Sequence, residues 1–199
     1  LDTFRIGENV KSLLLEVRTT VRGPEILLTR SHKNFVRKLF ELEVPEIGTG
    51  LVEISAIARE PGHRSKVIVT AHQVGLDPVG TVVGQRGARV QAVVEELGGE
   101  KVDIIAFSDD PAEMIARALS PAPVLSVRVD ETAKAATVTV PEHALSLAIG
   151  REGQNARLAA RLTGYRIDIA SDAPSAADGG EASAAVANEQ SGAQPVGGA

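Results

Sequence analysis

The sequence predicts an α+β fold made of two copies of one small unit. Each copy runs helix, strand, strand, helix, Gly-x-x-Gly loop, helix, strand. The first observation behind this prediction is an internal repeat, because residues 82–90 resemble residues 148–156, which lie 66 positions later. The second is a matching apolar run after each loop, Lys101–Ile104 and Arg166–Ile169, at an offset of 65. Two blocks that match in the same order indicate a duplication.

Composition limits both the core and the chemistry. The 199 residues are 43% hydrophobic and 24% charged, as in soluble domains, but only 3% aromatic, and they include no cysteine. The core must therefore be aliphatic, and stacking on aromatic rings cannot be the main means of holding nucleic acid. Disulfides, thiolate zinc sites and cysteine nucleophiles are excluded. Without a long apolar run or a secretory signal, we expect a cytoplasmic protein, and Leu1 suggests a fragment or a processed chain.

The net charge of −5 is unevenly distributed along the chain. Residues 172–199 are rich in Ala, Ser and Gly, carry four acidic groups and no Lys or Arg, and are predicted to be a disordered tail. Residues 1–171 keep all 21 basic groups and 22 of the 26 acidic ones, so the body is nearly neutral. Basic clusters at residues 30–38 and 86–89 are either binding surfaces or solvated faces.

The first 30 residues lie outside the repeat. Two apolar runs, Val10–Val17 and Ile26–Thr29, are joined through Arg22-Gly23-Pro24 and predict a pair of strands. Because two strands alone rarely form a stable core, we interpret them as the end of a truncated β domain.

In the first copy, apolar residues at helical spacing predict a helix over Ser31–Leu42, which Pro45 and Gly48 follow. Two β-rich runs, Val52–Ile57 and Val67–Val69, are separated by a Pro-Gly turn signal.

In the second copy, Asp110 is the predicted N-cap of a helix with Pro111 at its first position. Strands are predicted over Leu125–Val129 and Ala135–Val140, and a short helix over Pro141–Ile149.

The repeated glycine loops are the main candidate site. A single Gly-x-x-Gly is usually a tight turn, but two copies, each between helices, favour a binding role. Glycine lets a ribose-phosphate backbone approach the main chain, and the next helix offers unpaired N–H groups to a phosphate. Arg86 and Arg151 add positive charge, whereas Glu152 opposes it. The candidate RNA-binding residues are Val83, Gly84, Gln85, Arg86, Gly87, Arg89, Ile149, Gly150, Arg151, Glu152, Gly153, Asn155 and Arg157.

Two interpretations stay open for the side chains after the loops. Arg89 and Arg157 could contact phosphates, and Asn155 could hydrogen-bond a base edge. Alternatively, the arginines are solvated helix surface or support for Asp103 and Asp168.

These loops resemble the hallmark of K-homology domains, which clamp about four nucleotides of single-stranded nucleic acid. Further stretches resemble the bacterial NusA family of transcription elongation factors. They are residues 35–47 (Phe-Val-Arg-Lys-Leu-Phe-Glu-Leu-Glu-Val-Pro-Glu-Ile), 77–80, 98–104, 118–122 and 145–164. The resemblance covers residues 1 to about 171.

The resemblance implies two tandem type II K-homology domains, with element order α-β-β-α-α-β, at residues 32–107 and 108–171. Residues 1–31 would be the terminal strands of an S1 domain, a β-barrel of the OB type, and residues 172–199 the tail. The implied function is RNA binding in elongation, pausing, termination and antitermination. Implied partners are single-stranded RNA, other elongation or antitermination factors, and RNA polymerase, although its main anchor domain would be absent. We expect a monomer without a cofactor.

Two other classes of function compete with RNA binding. An enzyme is not expected, because the four histidines are scattered without ligand spacing and no P-loop lysine follows either glycine pair. We therefore predict no catalytic residue, metal ligand or membrane association. A protein-interaction scaffold stays open as an alternative, with the loops as turns and an acidic strip at Glu41, Glu43 and Glu46 as the contact surface.

Overall fold

The computed structural model describes residues 3–172, so the predicted tail from residue 173 onward lies outside the described residues. We call residues 32–107 the first unit and residues 108–171 the second unit. Each unit contains a three-stranded sheet with helices on it, and the predicted α+β duplication is confirmed. Within the described range, no helix has the length and apolar character needed to cross a membrane.

An antiparallel hairpin precedes the first unit, with strands β1 (Leu13–Thr20) and β2 (Gly23–Thr29). Within residues 3–172 its strands pair only with each other, and most of its apolar side chains are exposed. Arg30, just after β2, donates to the side chain and the carbonyl of Glu96, and its guanidinium lies over the ring of Phe35. The hairpin is thereby attached to the first unit.

The first unit follows the predicted order, with one additional short helix at Pro45–Gly48, where the sequence predicts only the end of the first helix. Its elements are α1 (Lys33–Glu43), α2 (Pro45–Gly48), β3 (Val52–Glu60), β4 (Arg64–Ala71), α3 (Pro78–Val83), a 3₁₀ turn (Gln85–Gly87), α4 (Ala88–Glu96) and β5 (Lys101–Ala106). Strand β4 is central, antiparallel to β3 and parallel to β5. Helix α1 begins at Lys33 because His32 caps it: Nδ1 of the His32 ring accepts a hydrogen bond from the backbone N–H of Asn34.

The second unit repeats this order. Its elements are α5 (Pro111–Ala118), β6 (Ser126–Asp130), β7 (Ala135–Val140), a 3₁₀ turn (Glu142–Ala144), α6 (Leu145–Ile149), a second 3₁₀ turn (Arg151–Gly153), α7 (Gln154–Thr163) and β8 (Arg166–Ser171). The predicted Asp110 cap is present, since its side chain accepts the amide of Ala112. The helix predicted over Pro141–Ile149 is divided into a 3₁₀ turn and α6. Pairing continues into Asp172, whose amide donates to the Val140 carbonyl.

The two units stack through one shared apolar core. Helix α7 packs on its own sheet and also on β3 and β4 of the first unit. Ala58, Ile68 and Ile105 on the outer face of the first sheet are buried against the second unit. By strand register, Ile68 and Ile105 correspond to Thr139 and Ala170 in the second sheet, whose outer face is polar. The outer face of the second sheet can therefore remain in contact with solvent, and this sheet lies at the end of the two stacked units.

Buried ion pairs fix the first sheet and reach the second unit. Lys66 is 0% exposed, with Nζ 3.1 Å from the Asp103 carboxylate and 2.7 Å from the Ser120 carbonyl oxygen of the second unit. Burial lowers the pKa of Lys66, and the charge of Asp103 acts against that shift. Arg59 similarly donates to both carboxylate oxygens of Glu100.

Candidate nucleic-acid interface

The two glycine loops have the same backbone conformation. Gly84 and Gly150 have φ/ψ of 76/173° and 77/171°, and the loops end in left-handed glycines, Gly87 and Gly153. The third residue of each loop is also left-handed, with φ of 52° at Arg86 and 53° at Glu152. A non-glycine residue in this region costs on the order of 1 kcal/mol, so each loop is held in place by its surroundings.

The first glycine of each loop is required by close packing. A Cβ on Gly84 would lie 2.7 Å from Cγ of Arg89, and one on Gly150 would lie 2.8 Å from the backbone nitrogen of Asn155. At Gly153 a Cβ would meet no described atom within 4 Å, and at Gly87 it would make only an ordinary contact, 3.9 Å from Cγ1 of Val90. The second glycine therefore leaves open space in front of the helix that follows, where a ligand backbone can approach.

The helices after the loops begin at this space, and the amides of Ala88 and Gln154 at their first positions donate to the carbonyls of Gln85 and Arg151. Helices α4 and α7 begin directly after the second glycines, and no described side chain caps either one. The positive end of the helix dipole therefore favours an anion in front of each helix. The two copies of this arrangement are two candidate sites for a phosphate backbone.

The exposed side chains of the two loops differ in charge. Gln85 and Arg86 are exposed in the first loop, and Arg151 and Glu152 are 93% and 82% exposed in the second. The first loop therefore carries a net positive charge, whereas the two charges of the second cancel.

Beside the loops, Val83 and Ile149 are half-buried. Val82 and Ala148, which precede them, are fully buried in the two cores. Each loop therefore has one aliphatic side chain partly open to the solvent and its neighbour fixed in the core.

Arg89 and Asn155 occupy equivalent positions and have the same structural role. Arg89 donates to the Thr81 carbonyl at 2.8 Å, and Asn155 donates to the Ala148 carbonyl at 3.0 Å, so each joins the helices on either side of its loop. Asn155 also donates to the Leu119 carbonyl and is only 2% exposed. The expectation that Asn155 contacts a base edge is therefore wrong for this conformation, because its amide is used inside the protein.

The arginines after the loops are ion-paired, but with partners other than those expected. Arg89 lies 3.0 Å from the carboxylate of Glu46. Asp103 pairs instead with Arg64 and Lys66, and Asp168 with Arg166. The interpretation that Arg89 supports Asp103 or Asp168 is therefore wrong, because its carboxylate partner is Glu46, which the sequence does not identify.

Arg157 connects the second loop to the first unit. Its Nε donates to the carboxylate of Glu60 at 2.6 Å, and its Nη1 donates to the backbone carbonyl of Glu152 at 3.1 Å. Gln154 donates to the other carboxylate oxygen of Glu60 at 2.9 Å. The hydrogen bond from Arg157 lowers the pKa of Glu60, and Glu60 raises the pKa of Arg157. The sequence does not reveal this role of Glu60, since its partners lie more than 90 residues later.

A cleft of about 520 Å³ lies between the second loop and the β3–β4 turn of the first unit. Basic side chains on both sides line it, among them His63, Lys101 and Arg151. Across residues 3–172, no group of three His, Asp or Glu side chains is placed to hold a metal ion.

Comparison with known proteins gives two adjacent matches. The NusA-like first KH domain matches residues 30–107, and the NusA-like second KH domain matches residues 111–177. The chain belongs to the NusA-like K-homology family. The two structural units are therefore NusA-like KH domains, and we refer to them below as the first and second KH domains.

Curated relatives of this NusA-like chain are bacterial proteins named transcription termination/antitermination protein NusA. That of Mycobacterium tuberculosis is 56% identical over 174 residues, which are 87% of this chain and 50% of the relative. Those of Bacillus subtilis and Thermus thermophilus are each 51% identical over 86% and 83% of this chain, and over 46% and 43% of their own lengths. The chain thus spans about half the length of these relatives. A solved structure, the crystal structure of APE1850, covers 70% of the chain at 19% identity with a TM-score of 0.48.

Proposed function

We propose that this chain is the RNA-binding part of a NusA-type transcription factor and that its two Gly-x-x-Gly loops hold single-stranded RNA. The observation that carries the proposal is the pair of loops with one backbone geometry, each with room for a ligand at its second glycine and followed by a helix whose N-terminus has no side-chain cap. Phosphates would lie at the positive N-terminal ends of these helices, and the aliphatic residues beside the loops would contact sugars and bases.

The proposed contact residues are the two loops and the aliphatic residue before each, Val83–Gly87 and Ile149–Gly153. Arg89 and Arg157 would act mainly by supporting the loops, because their guanidinium groups are engaged with Glu46 and Glu60. Asn155 is left out of the contact set.

We infer the wider role from the relatives. They are named as termination and antitermination proteins, which supports a role in regulating elongation, pausing, termination and antitermination by bacterial RNA polymerase in the cytoplasm. Other elongation or antitermination factors are further proposed partners, and we propose no catalytic activity. Because the chain spans about half of each relative, contact with polymerase is proposed for the longer protein.

Two structural assignments belong to the same proposal. We assign the β1–β2 hairpin to an S1-type barrel, which would cover exposed apolar residues such as Leu14, Ile26 and Leu28. We also propose that the chain acts as a monomer, since the second domain already covers the apolar face of the first sheet.

Charge reversal in the loops tests the RNA-binding proposal. Variants Q85D/R86D and R151D/E152D place acidic side chains where phosphates would lie, and the variant with all four changes should lose binding to short single-stranded RNA. Fluorescence anisotropy measures affinity, and circular dichroism checks the fold. The matched control is R128D/T137D on the exposed outer face of the second sheet, which changes the net charge as much as Q85D/R86D does.

The salt dependence of binding gives a second criterion. Loop contacts with phosphates predict that affinity falls linearly with salt on a log–log scale, because counterions are released from the RNA. If the four-change variant is folded and still binds RNA as tightly as the parent, the loops are only turns, and the scaffold interpretation is preferred.

A further inference from the structure

The two loops have the same shape but are supported in different ways. The first loop is held within its own domain, where Arg89 donates to Thr81 and pairs with Glu46. The second loop is also held from the other domain, through Glu60 at the end of β3. This difference makes the second loop structurally dependent on the first domain.

Glu60 uses both carboxylate oxygens in this link. Oε1 accepts from Nε of Arg157 and Oε2 accepts from Nε2 of Gln154, which is the first residue of α7. The Glu60 side chain is 17% exposed, so water screens these charge-assisted hydrogen bonds only partly. Arg161 lies farther away, with Nη1 3.9 Å from Glu60.

From Arg157 the contacts continue to the loop itself. Nη1 of Arg157 donates to the carbonyl oxygen of Glu152, the left-handed residue of the second loop. A strained residue keeps its conformation only when its surroundings fix it, and this carbonyl contact is one such restraint. Glu60 therefore acts on the loop backbone through a single intermediate side chain.

The repeat supplies an internal comparison. The positions equivalent to Gln154 and Arg157 in the first KH domain are Ala88 and Gln91. Ala88 has no polar side chain, and Gln91 donates to Glu95 on its own helix. The cross-domain link is thus a feature of the second loop and not a general part of the repeated unit.

We propose that Glu60 is a positioning residue for the second loop, so that the affinity of this loop for RNA depends on a carboxylate of the first KH domain. The inference rests on the proposed function of the loops. The proposal predicts the direction in which RNA affinity changes when Glu60 is removed. By electrostatics alone, removing a negative charge near RNA strengthens binding. Positioning predicts the opposite result, that loss of Glu60 weakens binding at the second loop.

The test isolates the second loop by working in the Q85D/R86D background. There E60A should weaken binding to short single-stranded RNA about tenfold, the scale expected for loss of a charge-assisted hydrogen-bond pair. E60Q, which keeps the acceptor oxygen, should give an intermediate loss. The control E53A removes one carboxylate from the same strand, where Glu53 is exposed and pairs only with His72 among the described residues. It should leave affinity unchanged or slightly raised.

The R151D/E152D background provides the reverse test. With the second loop blocked, E60A should leave RNA binding by the first loop unchanged. An equal loss in both backgrounds would show that E60A disturbs the whole fold, and unchanged or tighter binding in the Q85D/R86D background would show that Glu60 acts only as a charge. Either result overturns the proposal.

A readout without RNA separates this inference from the proposed function. In the free chain, E60A should shift the NMR amide signals of Gly150–Gly153 and speed their hydrogen exchange, while those of Gly84–Gly87 stay unchanged. If the second-loop amides do not respond, Glu60 does not position the loop, whatever binds there. If they respond but no variant changes RNA affinity, the positioning stands and the RNA function is wrong.

Discussion

Gly84 and Gly150 show how much single residues in the loops depend on what surrounds them. Both have the same positive φ, so alanine carries the same conformational cost at each. The neighbours differ, because a Cβ at Gly84 meets the side chain of Arg89, whereas a Cβ at Gly150 meets the backbone nitrogen of Asn155. A side chain can move aside more easily than the backbone of a packed helix.

G150A should therefore destabilise the protein more than G84A does. We expect a loss of about 1–2 kcal/mol from backbone strain at either site, and a further loss at Gly150 because α7 must shift. Urea unfolding of the two variants measures the difference. Equal losses would contradict the importance of the Asn155 backbone contact.

Glu152 is the residue that limits the charge of the second loop. It is largely exposed and lies beside Arg151, so E152Q removes the opposing charge with little effect on packing. We expect E152Q to bind single-stranded RNA about two- to fivefold more tightly at low salt and to show a steeper salt dependence. E131Q, in the β6–β7 turn, is the charge-matched control, and an equal gain there would indicate a general charge effect.

At this scale the glycines could be predicted and Asn155 could not. The loop glycines repeat at one spacing, and a glycine that repeats in this way marks a backbone conformation that other residues disfavour. Arg89 and Asn155 also repeat in position, but one is charged and the other neutral. The sequence does not reveal that both donate to the carbonyls of the preceding helix.

Some helix and strand boundaries are set by residues next to them in the sequence, whereas others are set by pairing with distant residues. The N-terminus of α5 was predicted because Asp110 and Pro111 provide the cap and the first position directly in sequence. The boundaries of β1 were missed, with Leu13–Thr20 observed where Val10–Val17 was predicted, because pairing with β2 sets them. Helix α6 is shorter than predicted because Pro141 is followed by a 3₁₀ turn.

The link between β3 and α7 should be sensitive to acid. Hydrogen bonds to the Glu60 carboxylate, the largest contribution being that of Arg157, hold the pKa of Glu60 below its ordinary value of 4.5. The stabilisation is therefore fully present above pH 4.5 and is lost as pH falls through the lowered pKa of the folded state. We expect the difference in unfolding free energy between the parent and E60Q to be constant near neutrality and to vanish in acid. Urea unfolding across this pH range checks the prediction, and a difference that persisted in acid would contradict it.

For the whole molecule, the decisive feature is the contrast between the outer faces of the two sheets. The first face is largely apolar, with the buried Lys66–Asp103 pair beside the apolar residues, and it is covered, while the second is polar and open. In β4, residues 65–69 are all buried, which is the pattern of a strand covered on both sides. The sequence predicts a β-rich segment here. It does not show that both faces are buried, because the residues that cover the outer face belong to the second KH domain, far along the chain.

Exchanging equivalent residues tests the stacking of the domains. I68T gives the first sheet the residue found at the equivalent place in the second, and it should cost about 2 kcal/mol because a buried apolar side chain is lost. The reverse change, T139I, should alter stability little. Chemical denaturation measures both, and similar costs for the two variants would contradict the assigned cover of the first sheet.

The buried ammonium of Lys66 has a practical consequence for observing these domains in solution. Lys33, Lys38 and Lys101 are exposed, whereas Nζ of Lys66 is enclosed between the first sheet and the Ser120 carbonyl of the second domain. An acylating reagent should label the exposed amines at once and reach Lys66 only when the domains part. Its labelling rate, followed by mass spectrometry, would time the opening of the interface without any added probe.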